Sequence, residues 1–286
     1  MRLLVADCEP AGARDNHRAL VGRSLGEMVA DLLAELAPGS AVEHAYPADP
    51  GRPKPGVDEL REQDAVLLTG SPIHVHDGSP QSQAVLAFMR DVFASGTPSW
   101  GSCAGLQIAA AAAGGEVRPL PDDRREAGVT RRISATEAGR SHPLLRGRAP
   151  VWDAVTIHSD EVVRLPPDSV LLARNAETEV QAAEIRHGEG VFWGVQYHPE
   201  LPLDEIAAAL RRDADELVEA GLAREPAEVE HQAALLEALA REPRRRDLRW
   251  RLGVDGELAD RDRRTVEIRN FLEHLVRPTR ERRGRG

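Results

Sequence analysis

The first 117 residues alternate short apolar runs with helix-length amphipathic stretches, and this alternation restricts the chain more than any other feature. Arg2–Ala6 is an apolar run read as a central strand, and Val42–Ala45 as a second one. Ala65–Thr69 reads AVLLT and is stopped by Gly70-Ser71-Pro72, and Thr97–Trp100 is a further strand. Between them, Leu25, Met28, Val29, Leu32, Leu33 and Leu36 recur at spacings of three and four, the period of one buried helix face. Gln81–Ala94 reads as a second helix and the Ala-rich Leu106–Ala113 as a third, closed by Gly114-Gly115. Strands and helices in this order predict an α/β fold: a mostly parallel central sheet flanked by helices. After Val117 the texture is β-rich, with short strands expected around Val129–Ala135, Val151–Ile157, Val170–Ala173, Val180–Ile185 and Val191–Tyr197, added to the parallel core or flanking it.

Beyond Leu203 the pattern turns helical. Leu203, Ile206, Ala207 and Leu210 share one face, as do Val229, Ala233, Leu236 and Ala240, and later Ile268, Phe271, Leu272 and Leu275. Pro278 is expected to end the last helix, and the final RERRGRG to be a frayed basic end. The division expected is therefore a catalytic domain over 1–202 and a helical C-terminal extension over 203–286. The net charge of −10 excludes sequence-independent binding to nucleic acid. From residue 203 onward there are 19 acids and 18 bases, against 28 and 19 before it, so the N-terminal body is the acidic part. No apolar run approaches the roughly 20 residues that span a bilayer. The N-terminus reads as a strand and not as a signal peptide, which makes a cytoplasmic location the expectation. Two cysteines, Cys8 and Cys103, sit far apart, so a reactive thiol is a better expectation than a disulfide.

Pro98–Gln107 reads PSWGSCAGLQ, a strand running directly into Gly101-Ser102-Cys103-Ala104-Gly105 and then into a helix. This is the context of a nucleophile elbow with Cys in place of Ser. A tight turn strains the backbone at the nucleophile, and glycines two residues to either side relieve the crowding. A thiol there sits at a helix N-terminus, where free N–H groups and the helix dipole favour thiolate. The N–H of Ala104 would face a developing oxyanion. The alternative is a buried Cys in a small-residue turn. A second segment, Gly194–Glu200, ends in His198-Pro199-Glu200. In extended chain, His198 and Glu200 share a side, and a carboxylate beside an imidazole fixes its tautomer and stabilises its protonated form. The alternative is a strand end with an incidental His and Glu. Gly70-Ser71-Pro72, at the carboxyl end of a strand, can aim backbone N–H groups into the crevice above a parallel sheet, completing an oxyanion hole with Ala104.

Together and in this order, the three segments resemble the class I, triad-type glutamine amidotransferases, whose pattern is a Gly-Gly-Pro-like oxyanion turn, G-x-C-x-G-x-Q, and a late H-P-E. The likeness covers residues 1 to about 202. The stretch from Ser141-His142-Pro143-Leu144 through His158-Ser159-Asp160 to WGVQYHPE is most similar to the amidotransferase domain of GMP synthetases. The resemblance implies a flavodoxin-like sheet and a Cys103–His198–Glu200 triad. It implies oxyanion donors at Gly70, Ser71 and Ala104, and substrate contacts at Gln107, His158 and Asp160. The reaction implied is hydrolysis of the γ-amide of glutamine, or of a small γ-glutamyl compound, through a γ-glutamyl thioester, with no cofactor. Two departures stand out. Ser71 replaces the second Gly of the turn, and Ala104 is smaller than the residue the family often carries there, which widens the pocket and weakens the case for strict glutamine specificity.

No G-x-x-x-x-G-K-[ST] loop or synthetase domain accompanies these motifs. A free-standing γ-glutamyl hydrolase and the ammonia-supplying subunit of a two-chain synthetase both fit, with the extension available to a synthetase partner or a second copy. A docking module without catalysis does not need Cys, His and Glu together. Dienelactone-type hydrolases share the cysteine elbow but keep acid and base well apart in sequence. His74-Val75-His76-Asp77 has metal-like spacing without an evident further ligand and is read as a solvated loop, leaving no metal site expected. Cys8 is read as a buried thiol, Arg244-Arg245-Arg246 as a solvated helix end, and Trp100 and Trp193 as sheet packing.

Overall fold

The computed structural model describes residues 1–285. Its strands are β1 (Arg2–Ala6), β2 (Ala41–Ala45), β3 (Ala65–Leu68), β4 (Ser99–Ser102), β5 (Glu116–Pro119), β6 (Glu126–Ala135), β7 (Val151–His158), β8 (Asp160–Arg164), β9 (Ser169–Arg174), β10 (Ala182–His187) and β11 (Gly190–Val195). Nine of them form one sheet in the order β2-β1-β3-β4-β11-β10-β9-β6-β7. From β2 to β11 neighbours run parallel, and from β11 to β7 antiparallel. The parallel half carries both the cysteine elbow, after β4, and the H-P-E segment, after β11. The β-rich middle of the sequence is the antiparallel half. β5 and β8 form a separate two-stranded sheet that the sequence pattern did not reveal.

The parallel strands are apolar without alternation because both faces are covered. Leu4, Ala6, Val66 and Leu68 face a core with Val85, Phe88, Met89 and Val92 of helix Pro80–Ser95. Leu3, Val5, Ala65 and Leu67 face the other, with Val29, Leu32 and Leu33 of helix Leu25–Leu36. Each Leu or Val buried in this way contributes about 1.5–3 kcal/mol. That helix begins at a capping box, Ser24 accepting from the N–H of Glu27 while the Glu27 carboxylate accepts from the N–H of Ser24.

The C-terminal residues are built into these cores. Ile268, Phe271, Leu272 and Val276 pack with Leu3 and Trp100. Ile206, Leu210, Leu236 and Leu239 pack with Val155 of β7 and with Met28. Two expectations are corrected here. Pro278 does not end the last helix: a π-helical stretch, Leu272–Val276, leads without a break into helix Arg277–Arg282, of which Pro278 is the second residue. The basic end is pinned and not frayed, with Arg283 donating to the carbonyl of Gly96 at 2.9 Å and Arg285 to that of Arg61 at 2.9 Å. Gly286 lies outside the described residues.

Candidate active site

Cys103 sits between β4 and helix Ala104–Ala112 with φ 50° and ψ −113°, a strained conformation for a residue with a Cβ. The strain is held from several sides. The Cys103 N–H donates to the carbonyl of Val195 in β11 at 2.8 Å, and its own carbonyl accepts from Gln107. The flanking glycines are required by close approach: a Cβ on Gly101 would lie 2.9 Å from the backbone of Gly105, and one on Gly105 would lie 2.9 Å from the carbonyl of Leu68.

Past β11 the chain bends and does not stay extended, yet the bend still brings His198 Nδ1 to 2.8 Å from Glu200 Oε1. The same carboxylate oxygen accepts from the Ser102 hydroxyl at 2.7 Å, so the residue before Cys103 also holds the carboxylate that meets His198. The backbone N–H of His198 donates to Val155 in β7, and Tyr197 is fully buried beneath it. His198 Nε2 has no hydrogen-bond partner among the described residues. Burial pulls the imidazole pKa down, but the Glu200 carboxylate and the Cys103 sulfur outweigh it and push it up to about 10.

Gly70 closes against this ring: a Cβ there would stand 2.9 Å from His198 Cε1. Ser71 donates its hydroxyl to the carbonyl of Cys8 at 2.7 Å and lines the crevice beside Gly70. Cys8 is fully buried, and burial followed by the nearby Asp7 drives its thiol far above the ordinary range. Ala104, the first residue of the helix that follows Cys103, is buried.

Cys103, His198, Gly70, Ser71, Gln107, His158 and Asp160 all line one cavity of about 440 Å³. Gln107 donates its amide to the Asp160 carbonyl at 2.9 Å. His158 spends both ring nitrogens inside the protein, on that same carbonyl at 3.0 Å and on Glu126 Oε2 at 3.0 Å. Burial would raise the Glu126 carboxyl, but His158, Thr130 and Asn175 reverse this and lower it to about 2. Asp160 is 4% exposed; one carboxylate oxygen meets His74 and His76, and the other, Oδ1, is buried without a partner among the described residues. The loop spacing suggested no third ligand for His74 and His76; the fold supplies Asp160.

The outer wall of the cavity comes from helix Ala11–Val21, which the sequence pattern missed, and from helix Leu203–Arg212. His17 joins them, its Nδ1 3.2 Å from Glu9 and its Nε2 2.5 Å from Glu205. Burial would lower the His17 pKa, but Glu205 and Glu9 raise it to about 9. The missed helix buries Arg14 and His17, so its inward face is polar and carries no hydrophobic period.

A model of the family described as glutamine amidotransferase class-I matches residues 25–214. The chain belongs to the class I glutamine amidotransferase family. Among its relatives is a γ-glutamyl-L-1-hydroxyisopropylamide hydrolase of a Pseudomonas species, 37% identical over 286 residues, 99% of this chain and 95% of that one. A glutamine-hydrolysing GMP synthase subunit from Ignicoccus hospitalis is 32% identical over 157 residues, 54% of this chain and 77% of that one. A Thermotoga maritima glutamine amidotransferase structure superimposes with TM-score 0.63 at 17% identity, over 96% of this chain and 98% of that one. One from Methylobacillus flagellatus gives 0.61 at 20% identity, over 96% and 94%. These likenesses bear out the mostly parallel, helix-flanked sheet with its helical C-terminal region. Membership of the family, with the full-length likeness to a hydrolase, makes this amidotransferase an enzyme of the hydrolytic type. Among the described residues no helix is long and apolar enough to cross a membrane.

Proposed function

We propose that this amidotransferase hydrolyses the γ-amide of small γ-glutamyl amines to glutamate and the free amine, with Cys103 as nucleophile. The observation that carries the reading is the reach of the likenesses. The hydrolase from Pseudomonas matches end to end, extension included, whereas the Ignicoccus synthase component matches about half of the chain. The cavity agrees, because it continues past Cys103 to a wall that includes Glu205 and Ala209 of the extension. That wall gives room for an amine substituent larger than the hydrogens of glutamine. We therefore take 1–202 as the catalytic unit and 203–286 as an extension that completes its pocket.

In the mechanism proposed, His198, whose pKa is pushed up to about 10, takes the proton of the Cys103 thiol as the sulfur attacks. The sulfur adds to the γ-carbonyl carbon, and the oxyanion is received by the N–H of Ala104 and by those of the Gly70–Ser71 turn. Collapse of the tetrahedral adduct breaks the C–N bond. His198 gives its proton to the leaving amine, and the γ-glutamyl thioester remains. Water, giving a proton back to His198, then releases glutamate, and His198 returns that proton to the Cys103 sulfur. Glu200, itself held by Ser102, keeps His198 in register. The unpartnered Oδ1 of Asp160 receives the α-ammonium of the glutamyl group, and Gln107 and His158 position Asp160 by holding its carbonyl.

The test is glutamate release by the purified chain from glutamine and from γ-glutamyl amides of small alkylamines and amino alcohols, with Cys103→Ala as control. Cys103-dependent turnover that is faster on the substituted amides supports the reading. A folded protein that turns over none of them alone, and hydrolyses glutamine only when a synthetase chain is added, refutes it in favour of the ammonia-supplying role.

A further inference from the structure

We propose that His74, His76 and Asp160 form a binding site for a divalent transition-metal ion, with zinc the ion that fits, in the wall of the catalytic cavity. His74 Nδ1 lies 2.8 Å and His76 Nε2 3.2 Å from one oxygen of Asp160, and the three ligand atoms fall within 4.8 Å of one another. Zinc bonds to imidazole nitrogen and carboxylate oxygen are about 2.0–2.2 Å, which puts neighbouring ligands of a tetrahedral ion about 3.3 Å apart. The two imidazole–carboxylate distances need to open by only about 0.1–0.5 Å to admit it, and the two imidazole nitrogens already lie within 4.8 Å of each other.

The local fold explains the convergence. Ile73 and Val75 are buried in the core while His74 and His76 stay outside it, and the turn in which the Asp77 N–H donates to the carbonyl of His74 holds the two rings 5.6 Å apart. Asp77 takes no part, because its carboxylate accepts from the N–H of Ser79. Asp160 is buried, and its only ion-pair partners among the described residues are these two histidines. A buried carboxylate facing two imidazoles, with one oxygen unspent and no Lys or Arg paired with it among the described residues, is an arrangement that a cation stabilises. Gln107 and His158 fix the Asp160 backbone from behind, the support a ligating carboxylate needs. Two imidazoles and a carboxylate leave a tetrahedral ion one open position, and this donor set suits zinc over magnesium or calcium.

The consequence for catalysis rests on the assignment of Asp160 to the substrate's ammonium group. Ion and ammonium are then two cations drawn to one carboxylate, so zinc raises KM and leaves kcat alone. The binding itself does not depend on that assignment.

Because Cys103 lines the same cavity and thiolate also binds zinc, the experiment starts from untagged Cys103→Ala protein. Zinc chloride alone is titrated by calorimetry and the bound metal counted after dialysis. We expect one equivalent per chain, at least about tenfold weaker binding in His74→Ala and His76→Ala derivatives, and no change in His231→Ala, an exposed histidine elsewhere. Circular dichroism checks that each variant is folded. No binding by Cys103→Ala protein, or binding that survives loss of both His74 and His76, overturns the proposal. In the wild type, a fall in kcat that persists in His76→Ala would assign the ion to Cys103 and equally overturn it. Stoichiometric binding through the histidines with no rise in KM would leave the metal site standing and refute the ammonium assignment alone.

Discussion

Replacing Gly70 with Ala adds one methyl group, and the structure says where it goes. The new Cβ lies 2.9 Å from His198 Cε1, 3.7 Å from Nδ1 and 3.9 Å from Nε2, so it presses on the ring edge between the two nitrogens. Carbon atoms rest at about 3.5–4.0 Å, so the imidazole must retreat by about 0.6–1 Å. It has little freedom to do so, because Nδ1 is held at 2.8 Å by Glu200 and the backbone of His198 is tied to Val155. A misplacement of this size in a reacting group costs about 10²-fold, or about 2.7 kcal/mol of transition-state stabilisation. Gly70 has no positive φ, so backbone strain contributes nothing and the effect is steric. Expected is a fall of about 10²-fold in kcat on the best γ-glutamyl amide, with KM moving much less, since the groups assigned to the glutamyl end lie elsewhere. The assay is steady-state glutamate release, with a melting curve to show that the variant is folded. A kcat within about threefold of wild type would mean that His198 is not the group whose position limits turnover, and would refute the triad geometry.

Glu200→Gln removes the foremost cause that raises the His198 pKa against burial. Wild-type turnover should be lost as pH rises through about 10, where the ring gives up its proton, and the variant's alkaline limb should lie at lower pH, with neutral-pH kcat reduced roughly 10²–10⁴-fold; a full pH–rate profile reads both. His17, raised from 6.5 to about 9, contributes stability that is complete below pH 6.5 and lost as pH climbs through about 9. Denaturant melts of wild type across that window should lose about 1–2 kcal/mol, a figure reduced for solvent reaching one side of the site, and His17→Gln should flatten this slope. Glu267→Gln leaves the Arg148 guanidinium, 2% exposed, without its bidentate partner. The expected cost of about 3–5 kcal/mol lowers Tm by about 6–20 °C in calorimetry, and a Tm within a degree of wild type would remove Glu267 as an anchor.

The elements legible in the sequence are those whose buried face is apolar. Leu25–Leu36 shows its period because Val29, Leu32 and Leu33 face the sheet, and β1 and β3 show continuous apolar runs because both sides are covered. Helix Ala11–Val21 was hidden because it buries Arg14 and His17, which read as surface residues until Asp49, Glu9 and Glu205 are brought to them. The candidate triad was legible for a different reason: strain at Cys103 and close approach at Gly101 and Gly105 admit few residue types, so the chemistry leaves a short, dense pattern. Asp160 beside His74 and His76 was not legible, because the partners are 86 and 84 positions apart and only the docking of β8 near the Gly70 turn unites them. Pro278 misled because a rule about helix ends met a π-helical stretch, a local irregularity that tertiary packing sets and composition does not.

Glu267 holds two things at once: the guanidinium of Arg148, and the hydroxyl of Tyr197, which donates to it at 2.7 Å one residue before His198. A protein trimmed to the part that carries the motifs would expose the underside of its own H-P-E segment and strand a charge between β6 and β7. Loss of the extension would therefore leave the Arg148 guanidinium and the Tyr197 hydroxyl without the carboxylate they share. The tail behaves less like an accessory than like a keystone, with His198 resting on the course of stones directly above.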